Sequence, residues 1–444
     1  MRVRELAERI RHSLWFIPTL SVLVAAAISL AAVGLSDALD QVGADLPLIF
    51  GAGPDGARAM LQAIAGSVIT VAGVTFSITI VALQLTSTQF SPRVLRNFLR
   101  DRPNQLVLGV FMGTFTYCLL VLRSIRSEDE LRGEAFVPNL AITGALVLAF
   151  ISLGMLIFFI HHISVRLQVT SIVASVAGDT IRTIRDLSEW TTARPERGWV
   201  AAGAGEATPA PPSGAIPPPA GSVLRATESG YLQLVDLGGL VRGAEQLGGR
   251  YRLLVAPGAW VQRDAPVATF QGGTDAALPN AEHRDRIADA LAVADERSTQ
   301  QDVAFGIQQL VDIAVKALSP SVNDPTTAIG CIDRLVEVLV AAGTSADPPR
   351  AFADVGGTVR LEVPYPGFDE LTQLAFDAIR HYGATTPAIA IHLARALSVL
   401  RDTLPASRLP SLRAQAALLA ESVADIERES DRRRVMEAVG PLLG

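Results

Sequence analysis

Lysine is almost absent from this chain of 444 residues, because Lys316 is its only occurrence. The sequence therefore excludes any mechanism that needs a lysine at another position. Cysteine occurs twice, as Cys118 in a predicted membrane helix and Cys331 in a predicted soluble helix. Two cysteines in such different surroundings are not expected to form a disulfide, and they are too few for a cysteine-based metal site.

The motifs of several common enzyme classes are also missing. The chain has no glycine-rich phosphate loop, no G-x-S-x-G, no H-E-x-x-H and no HxH. Its net charge is −6, so no global basic field directs it to nucleic acid. We expect no cofactor, no metal and no nucleic-acid partner. An enzymatic function stays undecided, and the sequence favours a non-enzymatic one.

Apolar residues make up 49% of the chain and are concentrated before residue 165, which is typical of an integral membrane protein. Several runs are long enough to cross a bilayer. The predicted spans lie at about 14–35, 60–86, 105–122 and 140–160. Arginines in the N-terminal arm and after the second span predict, by the positive-inside rule, that both termini are cytoplasmic.

The second predicted span has one polar face. Positions three and four residues apart lie on the same side of a helix. On this side they are Gly66, Thr70, Gly73, Ser77, Ile80, Gln84 and Thr88, followed by Ser91. All are small or polar except Ile80. Such a face either packs closely against another helix or faces water in a pore or cavity. The sequence leaves both possibilities open.

Four arginines follow the second span, at Arg93, Arg96, Arg100 and Arg102. They could gather anions at the mouth of a pathway or bind the headgroups of anionic lipids. Alternatively, they simply hold this loop on the cytoplasmic side of the membrane. These interpretations are compatible, because arginines that fix the topology also create a positive field.

The pattern of the chain predicts an α-helical membrane domain with four transmembrane helices, followed by a cytoplasmic α+β region. In this region a small β-barrel-like module precedes a helical domain. The predicted divisions are a membrane domain at 1–165, a helical stalk that continues the fourth span at 166–191, a linker rich in Pro, Ala and Gly at 192–222, the β module at 223–275 and the helical domain at 278–444.

Within the β module, the segment PGAWVQRDAPVATF predicts a hairpin and resembles lipoyl and biotinyl carrier modules in its spacing of glycine and valine. Such a carrier needs a lysine at the tip of the hairpin, and this segment has none, so covalent-carrier function is rejected. The later helices are predicted at 280–297, 301–318, 325–343, 368–382, 386–403 and 409–438, with a strand at 358–363.

A polar set in the helical domain comprises Asp302, Asp312, Asn323 and Asp324. Paired carboxylates can perform acid–base chemistry or bind Mg²⁺. They can equally cap helices and complete a hydrogen-bond network. Asp324 is a natural N-cap, since Pro325 suits the first position of a helix. Because no other motif of an active site accompanies these residues, the sequence favours the structural interpretation.

Two long segments resemble a known family. They are VAGVTFSITIVALQLTSTQFSPRVLRNFLRDRPNQLVLGVFMGTFTYCLLVLRSIR and QQDVAFGIQQLVDIAVKALSPSVNDPTTA. They resemble a bacterial family of predicted inner-membrane proteins catalogued as a domain of unknown function. The resemblance covers roughly residues 10–400. It implies four spans in the bacterial inner membrane and a cytoplasmic C-terminal region, and it implies no reaction, ligand or functional residue.

These observations favour a homo-oligomeric channel or transport protein embedded in the lipid bilayer. Its second span would line a pathway for a small ion, and its cytoplasmic region would assemble or gate the pathway. The pathway-lining candidates are Gly66, Thr70, Gly73, Ser77, Gln84 and Thr88. The arginine cluster favours anions. The alternative is a membrane-anchored scaffold or sensor with no solute pathway.

Overall fold

The structure is a computed structural model that describes residues 15–42, 53–89, 102–126, 136–166, 168–191, 198–202, 222–272 and 287–443. The chain divides into two compact units, residues 1–168 and residues 169–444. Each unit is described by itself below.

Among the described residues of the first unit, four helices are long and apolar enough to cross a membrane, so this part of the sequence prediction is confirmed. They are α1 (Phe16–Val42), α2 (Pro54–Gln89), α3 (Arg102–Ser124) and α4 (Asn139–Arg166). Helix α2 begins earlier than the predicted span at 60–86. Its start combines Pro54 with Asp55 in the first turn, and both residue types are favourable at a helix N-terminus.

Helix α3 is the centre of the first unit, because its contacts with α1, α2 and α4 are the most extensive among these helices. Gly109 and Gly113 allow α1 to approach it closely. A Cβ atom at position 113 would lie 3.3 Å from the carbonyl oxygen of Ser21 and 3.4 Å from the Cβ of Ala25. Small residues four positions apart are a common device of helix packing in membranes.

Polar side chains also join these helices. The hydroxyls of Thr114 on α3 and Ser152 on α4 lie 3.1 Å apart. The Tyr117 hydroxyl donates to the carbonyl oxygen of Ala141 over 2.9 Å. These bonds occur in buried positions, where an unmade hydrogen bond is costly, so they help to fix how α4 lies on α3.

The second unit contains two sheets and eight numbered helices among its described residues. The strands are β1 (Val200–Ala201), β2 (Ser222–Arg225), β3 (Gly230–Val235), β4 (Gly249–Leu253), β5 (Trp260–Val261), β6 (Pro266–Gly272), β7 (Leu291–Ala294), β8 (Ala351–Ala353) and β9 (Val359–Glu362). The helices are α5 (Val169–Ser188), α6 (Leu237–Gln246), α7 (Val303–Ala317), α8 (Pro325–Thr344), α9 (Phe368–Gly383), α10 (Pro387–Thr403), α11 (Leu409–Ser422) and α12 (Glu429–Leu443).

The larger sheet has the strand order β1-β8-β9-β4-β6-β2, and the smaller one has the order β5-β3-β7. Neighbouring strands are antiparallel except β4 and β9, which are parallel. The strands of the predicted module at 223–275 therefore divide between two sheets, and the larger sheet takes β1, β8 and β9 from outside the module. The coarse prediction of a mixed helix-and-sheet region holds, whereas a separate small barrel is not found among the described elements.

The predicted hairpin in PGAWVQRDAPVATF is wrong. Strand β5 pairs with β3, while β6 pairs with β2 and β4. Asp264 between them adopts a φ of 65°, and its N–H donates to the carbonyl oxygen of Ala226 over 2.9 Å. The N–H of Ala265 donates to Gln262 over 3.0 Å. This turn carries the chain from one sheet to the other instead of folding β6 back onto β5.

Two further expectations differ from the structure. Residues 291–294 form strand β7, which pairs with β3, where the sequence predicted a helix. Within the range predicted as a stalk, Val169–Ser188 form helix α5, which buries one face against α7 and α8; continuation of the fourth span into this helix stays a prediction. The predicted helix at 409–438 is two helices, with a 3₁₀ turn at Val423–Asp425 after the first.

Candidate functional site

The polar face of α2 lies on the outside of the first unit. Gly66, Thr70, Gly73, Ser77 and Gln84 are all exposed. Ile80, the one apolar residue of this face, is 39% exposed. No residue of this set, as far as the structure describes their side chains, is buried against α1, α3 or α4. Packing within the first unit therefore does not account for the polar face.

The buried face of α2 points in almost the opposite direction. It consists of small and apolar residues with one threonine: Ala57, Leu61, Ala65, Val68, Ala72, Thr75 and Ala82. At about 100° of rotation per residue, the centre of the polar face lies about 150° from the centre of this buried face. The helix thus uses one side to join its own unit and leaves the polar side available for another contact.

The glycines of α2 differ from those of α3. A Cβ atom at Gly66 or Gly73 would meet no other atom within 4 Å. By contrast, a Cβ atom at Gly109 would press against the side chain of Ser21 on α1. Glycine thus allows α1 and α3 to approach closely, whereas the space beside Gly66 and Gly73 is open.

Several predicted site residues lie outside the described part of the chain. They are Arg93, Arg96 and Arg100. Thr88 belongs to α2, but its side chain is also outside the description. Arg102 is the first residue of α3 and is exposed. The association of the arginine cluster with the polar face stays a prediction.

Two buried polar residues were missed by the sequence reasoning. Asn104 in the first turn of α3 is 4% exposed, and Thr75 on α2 is 1% exposed. Within the described residues, the amide of Asn104 and the hydroxyl of Thr75 have no hydrogen-bond partner. No pattern in the sequence distinguishes Thr75 from the other threonines of α2. The G-x-x-x-G spacing of Gly109 and Gly113, however, could have marked α3 as the helix on which others pack.

In the second unit, Asp302 caps helix α7 and is almost completely buried. Its carboxylate accepts a hydrogen bond from the N–H of Phe305 over 2.9 Å. Arg297 donates to both carboxylate oxygens, over 2.9 and 3.0 Å, and its guanidinium lies 5.0 Å from the centre of the Phe305 ring. Burial raises the pKa of Asp302, although Arg297 and the Phe305 N–H act in the opposite direction.

Gln301, next to Asp302, ties the start of α7 to the smaller sheet. Its side-chain amide accepts from the backbone N–H of Val235 over 2.9 Å and donates to the carbonyl oxygen of the same residue over 3.1 Å. These two bonds satisfy the backbone N–H and carbonyl groups of Val235, the last residue of strand β3. The side-chain amide of Gln301 and both carboxylate oxygens of Asp302 thus make structural contacts.

Asp324 has the corresponding role at helix α8, as the sequence predicted. Its carboxylate accepts from the N–H of Thr327 over 3.1 Å and from the Thr327 hydroxyl over 2.6 Å. The Thr327 hydroxyl and N–H lower the pKa of Asp324. Asn323 precedes it with a φ of 48°, a left-handed conformation that asparagine tolerates.

The predicted acidic residues do not converge on one site. Asp302 caps the beginning of α7, and the N–H of Asp324 donates to Ala317 at the end of the same helix. A helix of 15 residues separates them by roughly 22 Å. Asp312 instead accepts a hydrogen bond from Gln308 on α7 over 2.7 Å. Among the residues that the structure describes, no group of three or more His, Cys, Asp and Glu side chains could hold a metal ion.

Comparison with known proteins gives matches over nearly the whole chain. A family described as "Predicted membrane protein (DUF2254)" matches residues 11–399. An uncharacterized protein of Mycobacterium tuberculosis is 33% identical over 447 residues, which cover 98% of this chain and 81% of the relative. An uncharacterized protein of Mycobacterium bovis shows the same identity and coverage. No solved structure gives a significant match.

Proposed function

The chain belongs to this family of predicted membrane proteins of unknown function (DUF2254), and we propose that it is a homo-oligomeric channel or transport protein. In this proposal helix α2 of each copy lines a pathway for a small ion. The protein lies in the bacterial inner membrane with both termini in the cytoplasm, and its second unit assembles or gates the pathway.

The observation that carries this proposal is the exposure of the polar face of α2. Polar groups that face lipid tails are unfavourable, and such groups in membrane helices usually face a partner helix or a water-filled space. Among the described residues, the first unit offers no partner helix on that side, because α2 joins it through the opposite face. Several copies around a symmetry axis would bring the same face of each α2 together.

The chemistry of the face suits a pathway of low charge selectivity. Its residues are neutral, and the Thr70 hydroxyl donates to the carbonyl oxygen of Gly66 over 2.7 Å. This bond leaves the acceptor side of the hydroxyl oxygen available to a passing solute. Selection by charge would then come from the arginine cluster that ends at Arg102, which favours anions.

The alternative is a membrane-anchored scaffold or sensor in which the polar face packs against another copy and nothing crosses. The open space beside Gly66 and Gly73 favours this reading, since small residues let two helices approach closely. Both hypotheses require that copies of the chain associate. They differ in whether water reaches the polar face of α2.

Flux through purified protein in liposomes tests the proposal. Ser77→Leu and Gln84→Leu should change the rate of anion release while the oligomer stays intact. The matched control is Ile78→Leu, because Ile78 is 41% exposed but lies on another side of α2. If the wild type shows no flux of any ion and Ser77→Leu dissociates the oligomer, the scaffold reading replaces the channel. If the wild type is a monomer and Ser77→Leu changes nothing, both the channel and the scaffold hypotheses are wrong.

A further inference from the structure

Thr75 and Asn104 are polar side chains that are buried inside the first unit and have no partner among the residues that the structure describes. Their exposed fractions are 1% and 4%. The Thr75 hydroxyl and both polar atoms of the Asn104 amide form no hydrogen bond with any described residue. Burying such groups unpaired costs free energy, and most buried polar groups in proteins therefore have a protein or water partner.

The register of α2 and α3 places these two residues about one helical turn apart along the helix axes. Arg58 near the start of α2 donates to the carbonyl oxygen of Ile125 just after α3, over 3.3 Å. The helices run in opposite directions. Thr75 lies 17 residues after Arg58 on α2, and Leu108 lies 17 residues before Ile125. Thr75 and Leu108 therefore lie at the same level. Asn104 is one helical turn from Leu108.

The packing of the apolar neighbours agrees with this register. Ala72, one turn before Thr75, belongs to the same buried cluster as Val107, one turn after Asn104. The next turn on each helix brings Thr75 and Asn104 between α2 and α3. Two unpaired polar groups thus approach the same region of one interface, on the side of α2 that faces away from the exposed polar face.

The available groups define the chemistry of a ligand. A threonine hydroxyl and a carboxamide each donate and accept hydrogen bonds. A water molecule in a protein interior makes two to four such bonds. A metal cation is a poor fit, because hard cations need more oxygen ligands than two side chains supply and the amide N–H groups would repel them.

We propose that Thr75 and Asn104 bind an ordered water molecule between α2 and α3. The site hydrates the interior of each first unit at a point separate from the exposed polar face of α2. The inference does not rest on the proposed function, since a scaffold with no pathway would contain the same site.

The direct test is a structure of the full chain in lipid nanodiscs by electron cryomicroscopy, at a resolution that shows water. Spherical density should lie about 2.7–3.2 Å from both the Thr75 hydroxyl oxygen and the Asn104 amide. A direct hydrogen bond between the two side chains, or apolar atoms filling the space between them, would overturn the proposal.

A pair of double-mutant cycles gives a second test. Thr75→Val and Asn104→Leu should each lower the melting temperature of the detergent-solubilised full chain. Because both bind the same water, the double variant should lose clearly less than the sum of the single losses. Thr116→Val is the matched control, since the Thr116 hydroxyl already donates to the carbonyl oxygen of Met112 over 2.9 Å and Thr116 lies 12 residues from Asn104 along α3. Its effect should add to that of Asn104→Leu.

Coupling of equal size in both cycles, or additivity in both, contradicts a shared water. Should Asn104→Leu yield no folded protein, Thr75→Val and Thr75→Ser are compared instead. Serine keeps the hydroxyl and should preserve the water density, whereas valine should remove it. Identical density in the two variants would also refute the proposal.

Discussion

The carboxylate of Asp302 fills the space that any side chain at position 258 would need. A Cβ atom built on Gly258 would overlap both the carboxylate carbon and an oxygen of Asp302. Gly258 also adopts a φ of +88°, which is unfavourable for residues with a Cβ atom. The buried helix cap of α7, paired to Arg297, thus depends on the absence of a side chain in the turn before β5.

This contact predicts that Gly258→Ala strongly destabilises the second unit. The backbone strain alone should cost about 1–2 kcal/mol, and the steric conflict with Asp302 should add about 1–3 kcal/mol. Gly357→Ala is the matched control, because Gly357 has a φ of +84° but open space around it. Denaturant unfolding of the full chain in detergent measures both. Equal losses for the two variants would show that the Asp302 contact contributes nothing.

Helices α5 and α7 provide a second prediction. A Cβ atom on Gly306 of α7 would overlap the side chain of Thr180 on α5. Gly306→Ala should therefore lower the melting temperature, although alanine is normally the better helix former. Gly330→Ala in α8, where the space is open, should instead raise stability by about 0.5–1 kcal/mol. Adding Thr180→Ala to Gly306→Ala should restore part of the lost melting temperature. If it restores none, the loss does not come from the contact between Gly306 and Thr180.

The elements that sequence could predict are those with a strong local signal. Long apolar runs mark membrane helices in any context, and the four predicted spans correspond to four described helices that are long and apolar enough to cross a membrane. Capping residues act within one turn, and Asp324 before Pro325 was identified correctly as the start of α8. The family resemblance is likewise confirmed, because it rests on long segments of sequence.

Elements that depend on distant partners were missed. The alanine-rich residues 291–294 have no local preference for a strand, and they form one because β3 lies beside them. Strands β5 and β6 look like the two arms of a hairpin, yet each pairs with a different sheet. The polar face of α2 was visible in the sequence, but its position on the outside of the first unit depends on which side packs on α3.

The pKa of Asp324 gives a prediction about pH. Hydrogen bonds from Thr327 lower this pKa below the ordinary value of about 3.9. The group therefore binds its proton more weakly in the folded than in the unfolded chain. Its stabilising effect is fully present above the ordinary pKa and is lost as the pH falls through the lowered value.

Asp324→Ala should accordingly reduce the free energy of unfolding by about 1 kcal/mol at pH 7. The difference between wild type and variant should shrink as the pH falls from about 4 toward 2. Thermal unfolding of the full chain across this range measures it. Asp324→Asn is the control, because asparagine caps a helix without titrating. A difference between wild type and Asp324→Ala that stays constant down to the lowest pH would exclude a role for the charged carboxylate.

Substitutions at the glycines of α2 and α3 test folding of one chain and association of several copies separately. Gly109→Leu should prevent α1 from packing on α3, because even a Cβ atom there presses against Ser21. The melting temperature of the Gly109→Leu monomer should therefore be lower than that of the wild type. Gly66→Leu should leave that stability unchanged, since the space beside Gly66 is open within the chain. If α2 meets other copies through its polar face, Gly66→Leu should instead weaken the oligomer measured by native mass spectrometry. A Gly66→Leu oligomer as strong as that of the wild type would show that copies do not pack closely at Gly66, which contradicts the scaffold hypothesis and leaves the water-lined pathway.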